Sequence, residues 1–140
     1  MIYFSDFKQH AVPLFIESGV LPLKFSFFKI TANLMYDVRH KIAPSRIQKQ
    51  VQDISNIHPH YTRSSASNNF YTQSSRLSIQ LNSFSRTGST TWNGIHLTLR
   101  NLRKNDFTRK ITSLLFDVLI SEDSDLETYE IIHRIKHFAK

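Results

Sequence analysis

Three groups of residues have the types and spacing for chemistry: a run of carboxylates, two pairs of histidines, and a block where arginines alternate with aromatics. The carboxylates are Glu122, Asp123, Asp125 and Glu127. Two-metal phosphoryl transfer needs carboxylates that converge on a pair of ions. This run instead opens a helical pattern with no apolar strand leading into it, where the helix dipole favours acidic side chains. His58 and His60 lie too close together on an extended segment to build a metal site. His133 and His137 are one helical turn apart and can chelate, but no third ligand accompanies them and the chain has no cysteine. Its three glycines, Gly19, Gly88 and Gly94, form no phosphate-cradling loop, and no Gly-x-Ser-x-Gly elbow is present. No catalytic residue, metal site or cofactor is therefore expected.

The third group points to binding. From His60 to Asn93, Arg63, Arg76 and Arg86 are interleaved with Tyr61, Phe70, Tyr71, Phe84 and Trp92. Guanidinium forks suit phosphates, aromatic faces stack on unpaired bases, and the intervening Ser, Thr and Asn suit sugar and phosphate oxygens. A second cluster follows in Arg100, Arg103, Lys104, Arg109 and Lys110. We expect these eight cations on phosphates and Tyr61 and Tyr71 on bases. Trp92 shares helical spacing with Ile95 and Leu99, which is the signature of a core residue.

Charge placement agrees. Residues 1–58 carry seven basic and four acidic side chains, residues 59–110 eight and one, and residues 111–140 three and six. The middle block is thus strongly positive between weakly charged flanks, an electrostatic footprint for nucleic-acid backbone. Absence of cysteine fits a reducing compartment. No stretch approaches the roughly 18–20 apolar residues of a membrane span, and MIYFSDFKQH lacks the marks of a signal peptide. The expectation is an intracellular chain, cytoplasmic or nuclear, with no membrane partner.

The positioning elements follow from periodicity. Ile2 to Gly19 reads as a short helix or turn closed by Gly19, with Pro22 at the first position of the next helix. Phe27, Ile30, Leu34, Met35 and Val38 set its face, with Phe25 and Phe28 widening it. A helix from Pro44 would bury Ile47, Val51 and Ile54 and end at His58-Pro59. Arg76 to Ser85 alternates with period two, so it reads as a strand pairing with Phe70–Thr72. Trp92 to Leu102 reads as a helix, and Asn105 as the N-cap of another with the face Phe107, Ile111, Leu114, Leu115, Val118 and Leu119. A last helix spans Asp125 to Phe138. The fold class is mainly α, about five helices, with a small β-hairpin around residues 68–85 in a single small domain or domain fragment. It divides into a helical N-terminal part (1–58), a basic hairpin and Trp helix (59–110) and C-terminal helices (111–140).

In order along the chain, His60-Tyr61-Thr62-Arg63, Phe70-Tyr71, Ser83-Phe84-Ser85, Gly88, Trp92-Asn93-Gly94-Ile95 and the helix opened by Phe107 resemble the C-terminal region of non-LTR (LINE-type) retrotransposon reverse transcriptases. His10 to Phe15, Leu34 to Val38 and the acidic run with its final helix are similar to the same tail, so the likeness covers nearly the whole chain. His96 and Arg103 stand where that family has proline, Thr108 stands where it has lysine, and the asparagine between Tyr and Thr is missing. The Tyr-x-Asp-Asp palm motif is absent. The resemblance implies a parent that copies RNA into DNA, and a fragment that is not itself an enzyme but an accessory RNA- or DNA-binding tail. Two other readings compete: a packing module whose aromatic stripe of Phe25, Phe27 and Phe28 and Phe107 face dock on the missing thumb, and a decayed retrotransposon reading frame without function.

Overall fold

The computed structural model describes residues 11–57, 60, 62, 64, 67–74, 83–121 and 128–138. Among them are seven α-helices: α1 (Ala11–Ser18), α2 (Leu23–Arg39), α3 (Ser45–Gln48), α4 (Phe84–Gly94), α5 (Leu97–Arg100), α6 (Lys104–Ser121) and α7 (Thr128–Phe138). A 3-10 turn spans Ile54–Asn56. Helix α1 ends as expected at Gly19, which takes φ 67°. The Gly19 N–H donates to Ile16 and the Val20 N–H to Phe15, so two otherwise orphaned carbonyls are satisfied. Pro22 sits one residue before α2 begins, at its N-cap.

Helix α2 is the axis of the fold. It packs against α4, α6 and α7, while α6 also carries α1, α5 and α7. Asp37 pairs with Lys104, and Asn33 accepts a hydrogen bond from Thr108, so α2 and α6 run antiparallel. The buried face of α2 is Phe25, Phe28, Thr31, Ala32, Met35, Tyr36 and Val38. Phe27 and Ile30, expected inside, are exposed by 53% and 65%. Apolar residues occupy two sides of this helix, and only the side facing α4 and α6 is covered. The α6 face, by contrast, is buried as its spacing predicts, from Phe107 to Leu119.

One core draws on all three segments of the chain. Its centre is aromatic: the Tyr36 ring lies 4.9 Å from Phe107 and 6.4 Å from Trp92, and Phe70 lies 6.1 Å from Trp92. Each such buried side chain contributes about 1.5–3 kcal/mol through removal from water. The Tyr36 hydroxyl reaches the edge of the core and donates to the Leu102 carbonyl, 2.8 Å away. Two glycines permit close helix approach. A Cβ on Gly88 would lie 2.7 Å from Met35 Sδ, and one on Gly94 would collide with Ile132 of α7.

Several expected elements differ. The helix from Pro44 is only α3. Gln52 and Asp53 leave it to run alongside Asn69 to Tyr71, with Asp53 and Phe70 forming an isolated antiparallel bridge. Phe70 thereby pairs with Asp53, and residues 75–82, the body of the expected second hairpin arm, lie outside the described residues. Phe84 and Ser85, expected to end that arm, instead open α4. No strand longer than this bridge occurs among the described residues. The Trp92 helix therefore starts eight residues early, and it breaks at Ile95 rather than running to Leu102. His96 caps α5, its Nδ1 accepting from the Thr98 N–H. Asn105 lies within α6, whose first turn is closed by Phe107 N–H donating to the Arg103 carbonyl.

Candidate nucleic-acid interface

The expected site residues fall into three groups. Tyr61, Arg63 and Arg76 lie outside the described residues. Arg86, Arg100 and Lys104 are engaged within the fold, to different degrees. Arg103, Arg109, Lys110 and Tyr71 are exposed.

Arg100 is turned inward and only 7% exposed. Its Nε donates to the Ile95 carbonyl at 2.7 Å, Nη1 to the Ser67 carbonyl and Asn69 Oδ1, and Nη2 to the Asn93 carbonyl. The guanidinium carbon stands 5.3 Å from the Trp92 ring centroid. No carboxylate shares this pocket among those hydrogen bonds. Burial, reinforced by the nearby Arg39 charge, lowers its pKa to about 10. Arg100 thus stays charged at neutral pH, but four of its five N–H groups are committed to the protein, so it is a clamp and not a surface phosphate contact. What it clamps is the segment Ser67–Phe70. Trp92 Nε1 donates to the Asn68 carbonyl, and Asn93 binds both backbone groups of Phe70.

Lys104 donates to both oxygens of Asp37 at 2.7 and 2.8 Å, an ion pair that closes α2 on α6. Its charge is largely offset in place. Arg86 is half-buried in the first turn of α4, with Nη1 buried and without a hydrogen-bond partner. Ser89 Oγ and Thr91 Oγ1 on the same helix are likewise buried and unpartnered.

Arg103, Arg109 and Lys110 have no ion pair among the described residues; Arg109 and Lys110 stand in the second turn of α6 and Arg103 immediately precedes the helix. A groove of about 490 Å³ runs beside Arg109 and Lys110, between α5 and α6. Leu99 and Leu102 form its apolar floor, and Asp106, Arg109, Lys110 and Ser113 its α6 wall. The Tyr36–Leu102 hydrogen bond holds the floor in place. The arrangement can take an anionic group against Arg109 and Lys110 with an apolar or planar group below it. Arg109 and Lys110 were expected from the sequence. The groove was not, because Leu99 and Leu102 read as core positions. Tyr71, outside this groove, is 37% exposed and follows the buried Phe70. Arg39, 6.0 Å from the Phe70 ring, pairs with Asp53 beneath it.

Among the described residues no three His, Asp or Glu side chains converge for a metal ion. No single helix there is long and apolar enough to cross a membrane. No family model, curated protein or solved structure matches the chain.

Proposed function

We propose that this chain is a non-catalytic nucleic-acid-binding tail of the kind found downstream of the polymerase domain in LINE-type reverse transcriptases, and that it holds RNA or DNA through its backbone. The observation that carries this reading is the exposed pair Arg109 and Lys110 on the α5–α6 groove, with exposed Arg103 just before α6, none of them ion-paired among the described residues. Three exposed cations within eight residues make a surface that exchanges small counterions for phosphates. The block net charge reinforces it, since residues 59–110 hold a single acidic residue, Asp106, against eight bases. Filter binding of single-stranded RNA at two salt concentrations tests the reading. Affinity should fall as salt rises. Affinity indifferent to salt overturns it.

A second reading has its own support. Leu23, Phe27 and Ile30 recur one helical turn apart on α2 and are exposed by 85%, 53% and 65%. Such an apolar stripe suits a protein contact, as in a tail packed on the thumb of its polymerase. Of the aromatic stripe expected to dock, only Phe27 is exposed; Phe25, Phe28 and the Phe107 face are spent on the chain's own core. The two readings are compatible, because the stripe and the cationic groove involve different residues.

A further inference from the structure

The α5–α6 groove joins an apolar floor to a wall that carries both signs of charge. We propose that it holds one unpaired nucleotide, with the base face on Leu99 and Leu102 and the phosphate on Arg109 and Lys110, so that the chain prefers single strands to duplexes. The proposal rests on the nucleic-acid reading above and adds what exposed cations alone do not decide, the strandedness of the ligand.

The wall is one face of α6. Asp106, Arg109, Lys110 and Ser113 fall at i, i+3, i+4 and i+7, so they stand along a single stripe of the helix. The floor comes from Leu99 in α5 and from Leu102 in the turn after it. It is held from below. The Tyr36 hydroxyl donates to the Leu102 carbonyl at 2.8 Å, and Arg100, next to Leu99, is anchored on the Ile95 and Asn93 carbonyls. The volume of about 490 Å³ lies within the usual range of about 300–1,000 Å³ for small-molecule sites, the class to which one nucleotide belongs.

Each part of the groove answers a part of a nucleotide. Arg109 and Lys110 suit a phosphate. Asp106, one turn before them, only accepts hydrogen bonds, as a phosphate does, so it repels a second phosphate and calls for a donor. Base edges and ribose hydroxyls supply such donors. The leucines suit the face of a base. In a duplex those faces are stacked on one another, and the outer surface offers the floor only phosphate and sugar. A fatty acid brings the anion and the apolar body but no donor for Asp106. Electrostatics alone runs the other way: a duplex carries about twice the charge per unit length of a single strand, so cations without the floor favour the duplex.

Fluorescence anisotropy on the full chain tests this with three labelled DNA probes of equal length: a single strand, its blunt duplex, and a single strand of abasic sites that keeps every phosphate. Wild type should bind the intact single strand about fivefold more tightly than either of the others, the lower end of what one base on a side-chain platform contributes. Ser113→Leu fills the groove from an exposed position. It should bring the intact strand down to the abasic level and leave the other two probes unchanged. Leu102→Ala, which removes half of the floor, should do the same, and circular dichroism shows whether each variant is folded. Asp106→Ala should tighten the duplex and abasic probes and so narrow the ratio. If wild type binds the three probes alike, or the duplex most tightly, the groove proposal is overturned and the cationic reading stands. If folded Ser113→Leu keeps the wild-type ratio, the base sits elsewhere and the proposal is equally overturned. If wild type binds no probe at any salt concentration, the cationic reading falls first and takes this one with it.

Discussion

The side-chain amide of Asn93 satisfies both backbone groups of Phe70: the Phe70 N–H donates to Oδ1 at 2.9 Å, and Nδ2 donates to the Phe70 carbonyl at 2.7 Å. One residue of α4 thereby does for Phe70 what a neighbouring strand would do. Asn93→Ala should leave both groups without partners at a largely covered position and lower stability by about 2–3 kcal/mol. Asn93→Asp keeps the acceptor but sets a carboxylate against the Phe70 carbonyl, and it should lose at least as much. Urea denaturation of the two variants beside wild type measures this. A change within about 0.5 kcal/mol, the range of ordinary surface substitutions, would remove the amide from the account.

Arg100→Lys tests the clamp on Ser67–Phe70. A lysine carries one nitrogen where the fork places three, so it cannot meet carbonyls at Ile95, Ser67 and Asn93 together. The expected loss is roughly 2–3 kcal/mol. The sign of any pH dependence follows from its pKa, which burial lowers from the ordinary guanidinium range to about 10. The folded state releases this proton first, so burial of the charge disfavours folding fully below about pH 10 and progressively less as pH rises above it. Between about pH 6 and pH 8 the group is charged in both states. The cost of Arg100→Lys should therefore be the same at both ends of that window, which parallel denaturation curves will show.

The two interior glycines of α4 should respond unequally to alanine. Gly94→Ala drives a methyl into Ile132, a β-branched side chain held at a helix contact, and should cost about 1–3 kcal/mol. Gly88→Ala meets Met35, whose flexible thioether has room to turn, and helix propensity returns about 1 kcal/mol. Thermal melts should rank Gly94→Ala well below Gly88→Ala. The reverse order would show that α4 and α7 are not packed as described.

Among the surface cations, Arg109→Ala with Lys110→Ala should lower RNA affinity and reduce the slope of log affinity against log salt by about 1.5–2, with stability unchanged within about 0.5 kcal/mol. Lys104→Ala should act differently. It leaves Asp37 without its partner, so its main effect falls on the α2–α6 junction and on stability. Titration at several salt concentrations, set beside thermal melts, separates the two classes.

Legibility of the sequence varied with how many faces a helix could present. In α6 the apolar residues from Phe107 to Leu119 form one stripe, so spacing alone located the buried face. In α2 they fill two stripes, and choosing between Phe25–Phe28–Met35 and Phe27–Ile30 requires knowing where α4 and α6 stand. Helix α4 was hidden by its composition: Ser85, Thr87, Gly88, Ser89, Thr90 and Thr91 are weak helix formers, and Gly88 reads as a stop until Met35 is seen against it. The site was readable in type but not in membership. Arg100 and Arg109 look alike in a basic stretch. Only the distant segment Ser67–Asn69 folding over Arg100 separates a clamp from a contact.

Trp92 is the single tryptophan of the chain, 1% exposed, with its indole N–H on the Asn68 carbonyl and Arg100 over its ring. The molecule consequently carries an optical reporter at the joint between α4 and the Ser67–Phe70 segment. Its emission should be blue-shifted in the native state, and should move to the red whenever that segment lifts away, even while the helices persist. A spectrum recorded alongside circular dichroism would thus distinguish local undocking of the segment from loss of the whole fold, without any label added to the protein.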